Sequence, residues 1–415
     1  MLKIIFQSTA SSIFSIIFTF LASIFLARAL GPTEYGNFSY IMLVVTLSAS
    51  IIQFGLGQGF VFFKRKHNIS NIYFHLSILF ILIVSIALPI ILQNYLLSQL
   101  SIIPLIFILV TTSISLFLSY TSQLDKNLKK YNTVRLLTAM LLFLSYISVF
   151  FIFDSISIRN IIIINIFIST MMIVYYLIPI SIRKYHTEGT THPGFVSYSL
   201  KLHGTTLVGI LIGSYDKILL STDDSLTNLG MYTVAFGFSR LIGIIPQNIS
   251  TVLFSHLAGE NENKISNITQ DIYSLLFIPM FLLTTIASLL TYFLFPLIYG
   301  ASYIPAITPA IILLFECMIS SLGWILAQRF NTTGKPGLIL IRQLISLLPL
   351  LLVFFFTHSE NIIILISIAV LLSSIIRLII TYFIYGKILK ENYPNIFPSY
   401  KIALIFTRLL KRTFK

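Results

Sequence analysis

The side chains best placed to do chemistry are charges set inside long apolar runs. Arg240, Glu316 and Arg377 lie well within such runs, and Asp216 and Lys217 stand together near the end of another. A charge at bilayer depth costs about 3 kcal/mol on insertion scales, so it faces a cavity or a partner. The planar guanidinium fork holds phosphate oxygens bidentately, which makes Arg240 and Arg377, with Lys217, candidate ligands for an anionic headgroup in a cationic cavity. Glu316 and Asp216 are the candidate ion-coupling groups, because a carboxylate in a low dielectric can titrate near neutral pH. A second reading stays open: Arg240 or Arg377 pairs with Glu316 or Asp216 only to hold helices together, and Asp216, adjoining Lys217, suits that role.

Other chemistry is missing. The stretch TGKP at 333–336 has a Gly-Lys pair but lacks the upstream glycine and the following Ser or Thr of a nucleotide-binding loop. His67, His75, His186, His192, His203, His256 and His358 show no HExxH or close carboxylate spacing, so no metal site and no bound cofactor is expected, and each reads as an interfacial or loop residue. The single cysteine, Cys317, has no disulfide partner within the chain.

The elements that position these charges follow from composition. Hydrophobic residues make up 57% of the 415 positions and charged ones 10%, against about a quarter charged in a soluble domain. Apolar runs long enough to cross a hydrocarbon core of about 30 Å recur along the chain. Twelve are expected, near 4–27, 38–63, 73–93, 101–122, 136–153, 160–182, 202–221, 230–255, 273–298, 304–326, 337–357 and 362–386. The alternating polarity of a membrane barrel is absent, which leaves an all-α polytopic membrane protein. The first run lacks a small-residue cleavage site and reads as a retained helix.

Assigning alternate loops to opposite sides puts most of the 27 Lys and Arg residues, including Arg329 and Arg342, on the side that holds both termini. Only Arg28, Arg159 and Lys217 fall on the other. The positive-inside rule then places both ends in the cytoplasm, and the formal charge of +14 reports topology rather than nucleic-acid binding.

A polar stretch at 183–201 divides the chain into two sets of six helices, 1–182 and 202–386, followed by a basic tail at 387–415. Two like-oriented bundles can be related by an axis along the membrane normal, with a substrate cavity at their interface. The segment LGPTEYG at 30–36 has a loose echo in LGMY at 229–232. Within the tail, 402–410 has the pattern of a short amphipathic helix, with Arg408, Lys411 and Arg412 near anionic headgroups. Prolines inside spans, among them Pro89, Pro246, Pro279, Pro296, Pro309 and Pro349, mark places where a helix can bend.

FLARALGPTEYG at 25–36, then an apolar span, then Gly55-Leu56-Gly57, resembles the start of polysaccharide exporters of the multidrug/oligosaccharidyl-lipid/polysaccharide (MOP) superfamily. The second half adds YDKILL at 215–220, LGMYTVA at 229–235 and Arg240. The resemblance covers nearly the whole chain. It implies two six-helix lobes around a central cationic cavity, worked by alternating access and coupled in some members to H⁺ or Na⁺. It implies a flippase in the bacterial inner membrane for undecaprenyl-diphosphate-linked O-antigen units, with an O-antigen polymerase and a chain-length regulator as partners beside the membrane lipids. Arg28 matches the family motif and joins the candidate ligands, although its place before Gly31-Pro32 also suits turn architecture.

Three alternatives remain at this level. A flippase for lipid II or for capsule or exopolysaccharide units would share the diphosphate headgroup. A multidrug or cation antiporter would be expected to carry more acid than base in its cavity. A membrane glycosyltransferase or O-antigen polymerase is disfavoured by short outer loops and the lack of a catalytic constellation.

Overall fold

The computed structural model describes residues 2–96, 101–125, 128–152, 156–177, 190–222, 226–257, 261–333, 336–356 and 361–398. Most of the inter-lobe stretch and the amphipathic helix expected at 402–410 lie outside them. Among the described residues the structure is helical, with no strand beyond one isolated bridge, Ile69 to Thr190. The chain divides into two compact units, Met1–Ser214 and Tyr215–Lys415.

The first unit holds α1 (Leu2–Ile52), α2 (Leu56–His67), α3 (Ile72–Leu96), α4 (Ile102–Thr121), α5 (Lys129–Ile152), α6 (Ile158–Leu177) and most of α7 (Gly194–Leu220). The division falls inside α7, past the polar stretch that marked it in the sequence. Local packing gives the reason, since the early turns of α7 are seated on α2.

Nine helices among the described residues are long and apolar enough to cross a membrane, or ten if one bent pair forms a single span. The difference from the expected twelve has local causes. The first of the nine, Thr9–His67, runs for 59 residues, about three times the length a hydrocarbon core needs. It is broken at Gly31, whose φ of 72° and ψ of 172° are open to glycine, and Pro32 restarts the helix where its missing N–H costs nothing. The bent pair is Thr227–Ser239 with Ile244–Ser250, at 64°. The run expected at 337–357 is a shorter apolar helix, Gly337–Val353.

In the first unit α1 packs along α5 and α4, and α4 along α3 and α6. Phe25 meets Phe150 edge-on at 5.6 Å between centroids, and Ile41, Val45, Ile108, Phe117 and Ile162 form the core. Polar cross-links are few. Ser11 Oγ donates to the Asn132 carbonyl at 2.9 Å, and Gln53 Nε2 to that of Ser113 at 2.6 Å.

Between α1 and α2 the chain turns through two left-handed residues, Phe54 (φ 43°) and Gly55 (φ 66°). Gly55 and Gly59 then let α2 lie directly on α7. A Cβ on Gly55 would stand 2.3 Å from the Ser199 carbonyl oxygen, and one on Gly59 2.1 Å from Ser199 Oγ. His203, one turn on, is buried against the Phe54 ring at 5.3 Å. This histidine is therefore a core residue, not the interfacial one expected, because the glycine seam draws α7 inward. We expect Gly55→Ala to cost about 2 kcal/mol, since both its φ and a backbone oxygen oppose it. Gly59→Ala meets the Ser199 hydroxyl first, at 2.1 Å, and the Ser199 Cβ at 3.2 Å, so adding Ser199→Ala should recover part of its loss while leaving Gly55→Ala unrescued. Thermal unfolding of the four proteins in one detergent checks this.

The second unit is organised on α11 (Ile307–Thr332), with α8 (Thr227–Ser239), α9 (Ile244–Leu257), α10 (Glu262–Tyr299) and α14 (Ile362–Phe383) against it. Helices α12 (Pro336–Ser346) and α13 (Leu348–Val353) pack on α14. The most apolar window of α11 is 72% buried, against at most 44% for any other span, so α11 is the central pillar.

At one end of this pillar Arg329, only 1% exposed, gathers two carboxylates. Its Nη2 donates to Glu391 Oε1 at 2.6 Å and to Glu262 Oε2 at 2.8 Å, and its Nε reaches Glu391 Oε1 at 3.0 Å. Ser266 Oγ donates to the other Glu391 oxygen at 2.5 Å. The chain beyond α14 comes back to this point through a π-helical turn, Ile384–Ile388, and lays the Tyr393 ring on Gly386. The sequence counted Arg329 as a cytoplasmic loop charge, whereas the fold uses it as a buried clasp.

Candidate functional site

The second unit assembles five of the six charged residues singled out in the sequence. Arg240 stands where α8 ends, at the bend before α9. The bend closes tightly on α11, since a Cβ on Gly243 would stand 2.9 Å from Cys317 Sγ and 3.0 Å from Ser321 Oγ. Arg240 is thereby brought level with Glu316. Its Nη2 donates to Glu316 Oε2 at 2.7 Å, and Ser320 Oγ, one turn along α11, donates to Oε1 at 2.5 Å. Glu316 is buried, while the Arg240 side chain keeps 27% of its surface.

The pairing named as the alternative in the sequence is thus present, but it leaves base in excess. Lys217, in the last turn of α7, stands 3.6 Å from Asp216 Oδ2, and that same oxygen accepts from the Tyr232 hydroxyl at 2.6 Å. Phe236 serves both cations. Lys217 Nζ lies 3.7 Å and Arg240 Cζ 4.0 Å from its ring centroid, a cation–π arrangement worth about 1 kcal/mol per contact. Arg377, on α14, interacts electrostatically with Glu316 and Arg240, and its Nε donates to Ser346 Oγ at 3.4 Å.

Arg342 corrects the sequence reading. Counted among the cytoplasmic charges, it is buried on α12, where Nη1 donates to Thr381 Oγ1 at 3.0 Å and to the Gly323 carbonyl at 3.3 Å. It also repels Arg377. Its position at the edge of an apolar run let it be assigned to either side of the interface. Arg28 belongs to the first unit, on the exposed side of α1 just before the Gly31 break.

Among the described residues, Lys217, Arg240, Arg342 and Arg377 therefore stand with two nearby acids, Asp216 and Glu316. Such a surplus is suited to holding an anion with more than one charge. Glu316 takes one nitrogen of the Arg240 fork, so an anion that binds the fork bidentately through Nη2 has to compete with it. Three contributors went unassigned in the sequence. Tyr232 lies within the LGMYTVA segment, Phe236 is four residues before Arg240 and so on its helix face, and Ser320 is four residues after Glu316 on the face of α11. Among the described residues no group of three His, Cys, Asp or Glu side chains could hold a metal ion.

Apolar helices of this length define a multi-pass membrane protein, and its fold is one that solved transporters share. A MATE transporter from Vibrio cholerae superposes with a TM-score of 0.62 at 15% identity, over 94% of this chain and 97% of its own. An inward-facing multidrug resistance MATE transporter of the MOP superfamily gives 0.67 at 12%, over 88% and 93%. The lipid II flippase MurJ, in an inward closed conformation, gives 0.66 at 16%, over 91% and 86%. The chain belongs to the polysaccharide biosynthesis protein family, which it matches over residues 25–308. No curated protein sequence matches it significantly.

Proposed function

We propose that this protein flips undecaprenyl-diphosphate-linked O-antigen oligosaccharide units from the cytoplasmic to the periplasmic leaflet of the bacterial inner membrane, by alternating access. The observation that carries the reading is the basic surplus around Arg240, with Arg377 and Lys217 beside it and a single carboxylate, Glu316, in its fork. A lipid-linked diphosphate offers the oxygens that such a group of cations binds. Membership of a polysaccharide biosynthesis family supports a glycan as cargo, and the shared fold of a lipid II flippase supports a lipid carrier. The same surplus disfavours a cationic drug. Arg28 adds to the ligand set in this reading, and the O-antigen polymerase and chain-length regulator act on the product.

Transport is driven by an H⁺ or Na⁺ gradient through Glu316, with Asp216 as the second candidate. When an anion takes the Arg240 fork, the displaced carboxylate needs a new partner, and a proton or Na⁺ supplies one. Glu316→Gln removes the titrating charge with little change of shape, so translocation in proteoliposomes should stop responding to an imposed gradient. An unchanged response would remove Glu316 from coupling.

The function is tested by deleting the gene in the native host and following lipopolysaccharide and undecaprenyl-linked intermediates by leaflet. Complete units held on the cytoplasmic leaflet, with loss of long-chain O-antigen, are expected. Units that reach the periplasm but stay unpolymerised would identify a polymerase instead.

A further inference from the structure

A groove in the first unit takes no part in the function argued so far. Helices α2, α3 and α7 enclose about 550 Å³ behind an almost wholly apolar wall that includes Phe54, Leu56, Leu76, Phe80, Val196 and Leu200. That volume lies in the range of small-molecule pockets, about 300–1,000 Å³. Leu76, Phe80, Val196 and Leu200 are exposed, so the groove opens sideways from helices that span the membrane.

Its two boundaries are polar. At one end Tyr73 and Phe195 close it, with centroids 4.8 Å apart. The Tyr73 hydroxyl accepts from the His192 backbone N–H at 3.0 Å, and the His192 ring lies 4.6 Å from that of His67. His67 completes the basic last turn of α2 with Lys64, Arg65 and Lys66. Behind the groove, across the seam of Gly55 and Gly59 on Ser199, lies a pocket of about 20 Å³ with room for one water. Gln53, Gln58 and His203 line it, and Gln53 Oε1 is buried there without a partner. One side of the seam suits a hydrocarbon chain and the other a polar group, while a cluster of cations stands at the end.

We propose that this groove holds the polyprenyl chain of the lipid-linked substrate as it loads, with the diphosphate end first at the basic turn of α2 and only later at the cations around Arg240; the proposal rests on the flippase reading. Charge and stoichiometry choose this occupant over a phospholipid. A polyprenyl diphosphate brings one chain and several negative charges to one groove and several cations, whereas a diacyl phospholipid brings two chains and one phosphate.

The test uses the full chain in nanodiscs of phosphatidylethanolamine and phosphatidylglycerol, with photoreactive benzoylphenylalanine replacing Leu76, Val196 or, as a control exposed on α6, Phe167. Radiolabelled undecaprenyl diphosphate is the probe. Labelling is expected at 76 and 196 and not at 167, competed by unlabelled undecaprenyl diphosphate but not by added phosphatidylglycerol. Equal labelling at all three positions, or competition by phosphatidylglycerol, would mean that ordinary lipid fills the groove and would overturn the proposal. A groove-filling Val196→Trp protein that keeps its thermal stability should lose most of its ability to restore O-antigen in the deletion strain; full restoration would count against the groove. If the deletion strain accumulates cytoplasmic units but groove labelling fails, only this proposal falls. If no units accumulate, the flippase reading itself is wrong.

Discussion

Arg240→Ala should abolish restoration of O-antigen in a deletion strain, while the protein still inserts into the membrane, since removing one charge makes the span more apolar. The substitution also strands Glu316, which is buried and keeps only Ser320 as a bonded partner nearby. Breaking a buried pair from one side costs about 3 kcal/mol, most of it from the charge left behind. The single variant should therefore lose thermal stability in detergent as well as transport. Adding Glu316→Gln removes the stranded charge and should return much of the stability without returning transport. Should the double variant regain both, the pair is a helix clamp and Arg240 is not a ligand. Arg240→Lys should fall between, because an ammonium keeps the charge but loses the bidentate fork.

Arg329→Ala should be the more damaging change to stability, again by about 3 kcal/mol or more. Arg329 is nearly inaccessible and satisfies Glu391 twice and Glu262 once, so its loss releases the chain beyond α14 from the end of α11. Lysine cannot replace it, as three donors from one guanidinium reach two carboxylates here. Glu262→Ala should cost far less, because that side chain is 55% exposed and exposed pairs contribute little. Comparable melting temperatures for Arg329→Ala and Glu262→Ala in the same detergent would show that the clasp carries no stability.

Much of this is written in single residues. Gly31 followed by Pro32 marks the break in α1, and apolar length marks α3, α4, α5 and α6, because a chain in lipid has only its own backbone to bond with. The charges at 240, 316 and 377 stand out for the same reason. Their partners do not. Arg240 and Glu316 meet only because Gly243 lets a bent span close on α11, a distance relation that no local pattern encodes. Arg342 reads as a loop charge because arginine at a helix end can reach the interface, and only the neighbouring α14, with Thr381, decides that it turns inward. His203 was misread for a similar reason, since the seam that buries it depends on two glycines far away in sequence.

Cys317 is the single thiol of the chain, fully buried on α11 under the bend at Gly243. While that bend stays closed the thiol is out of reach of maleimide reagents, so a cysteine introduced on an exposed helix face reports its own accessibility without a competing signal. Labelling of Cys317 itself would then time the moment when the bend lifts from α11, a built-in clock for the working cycle.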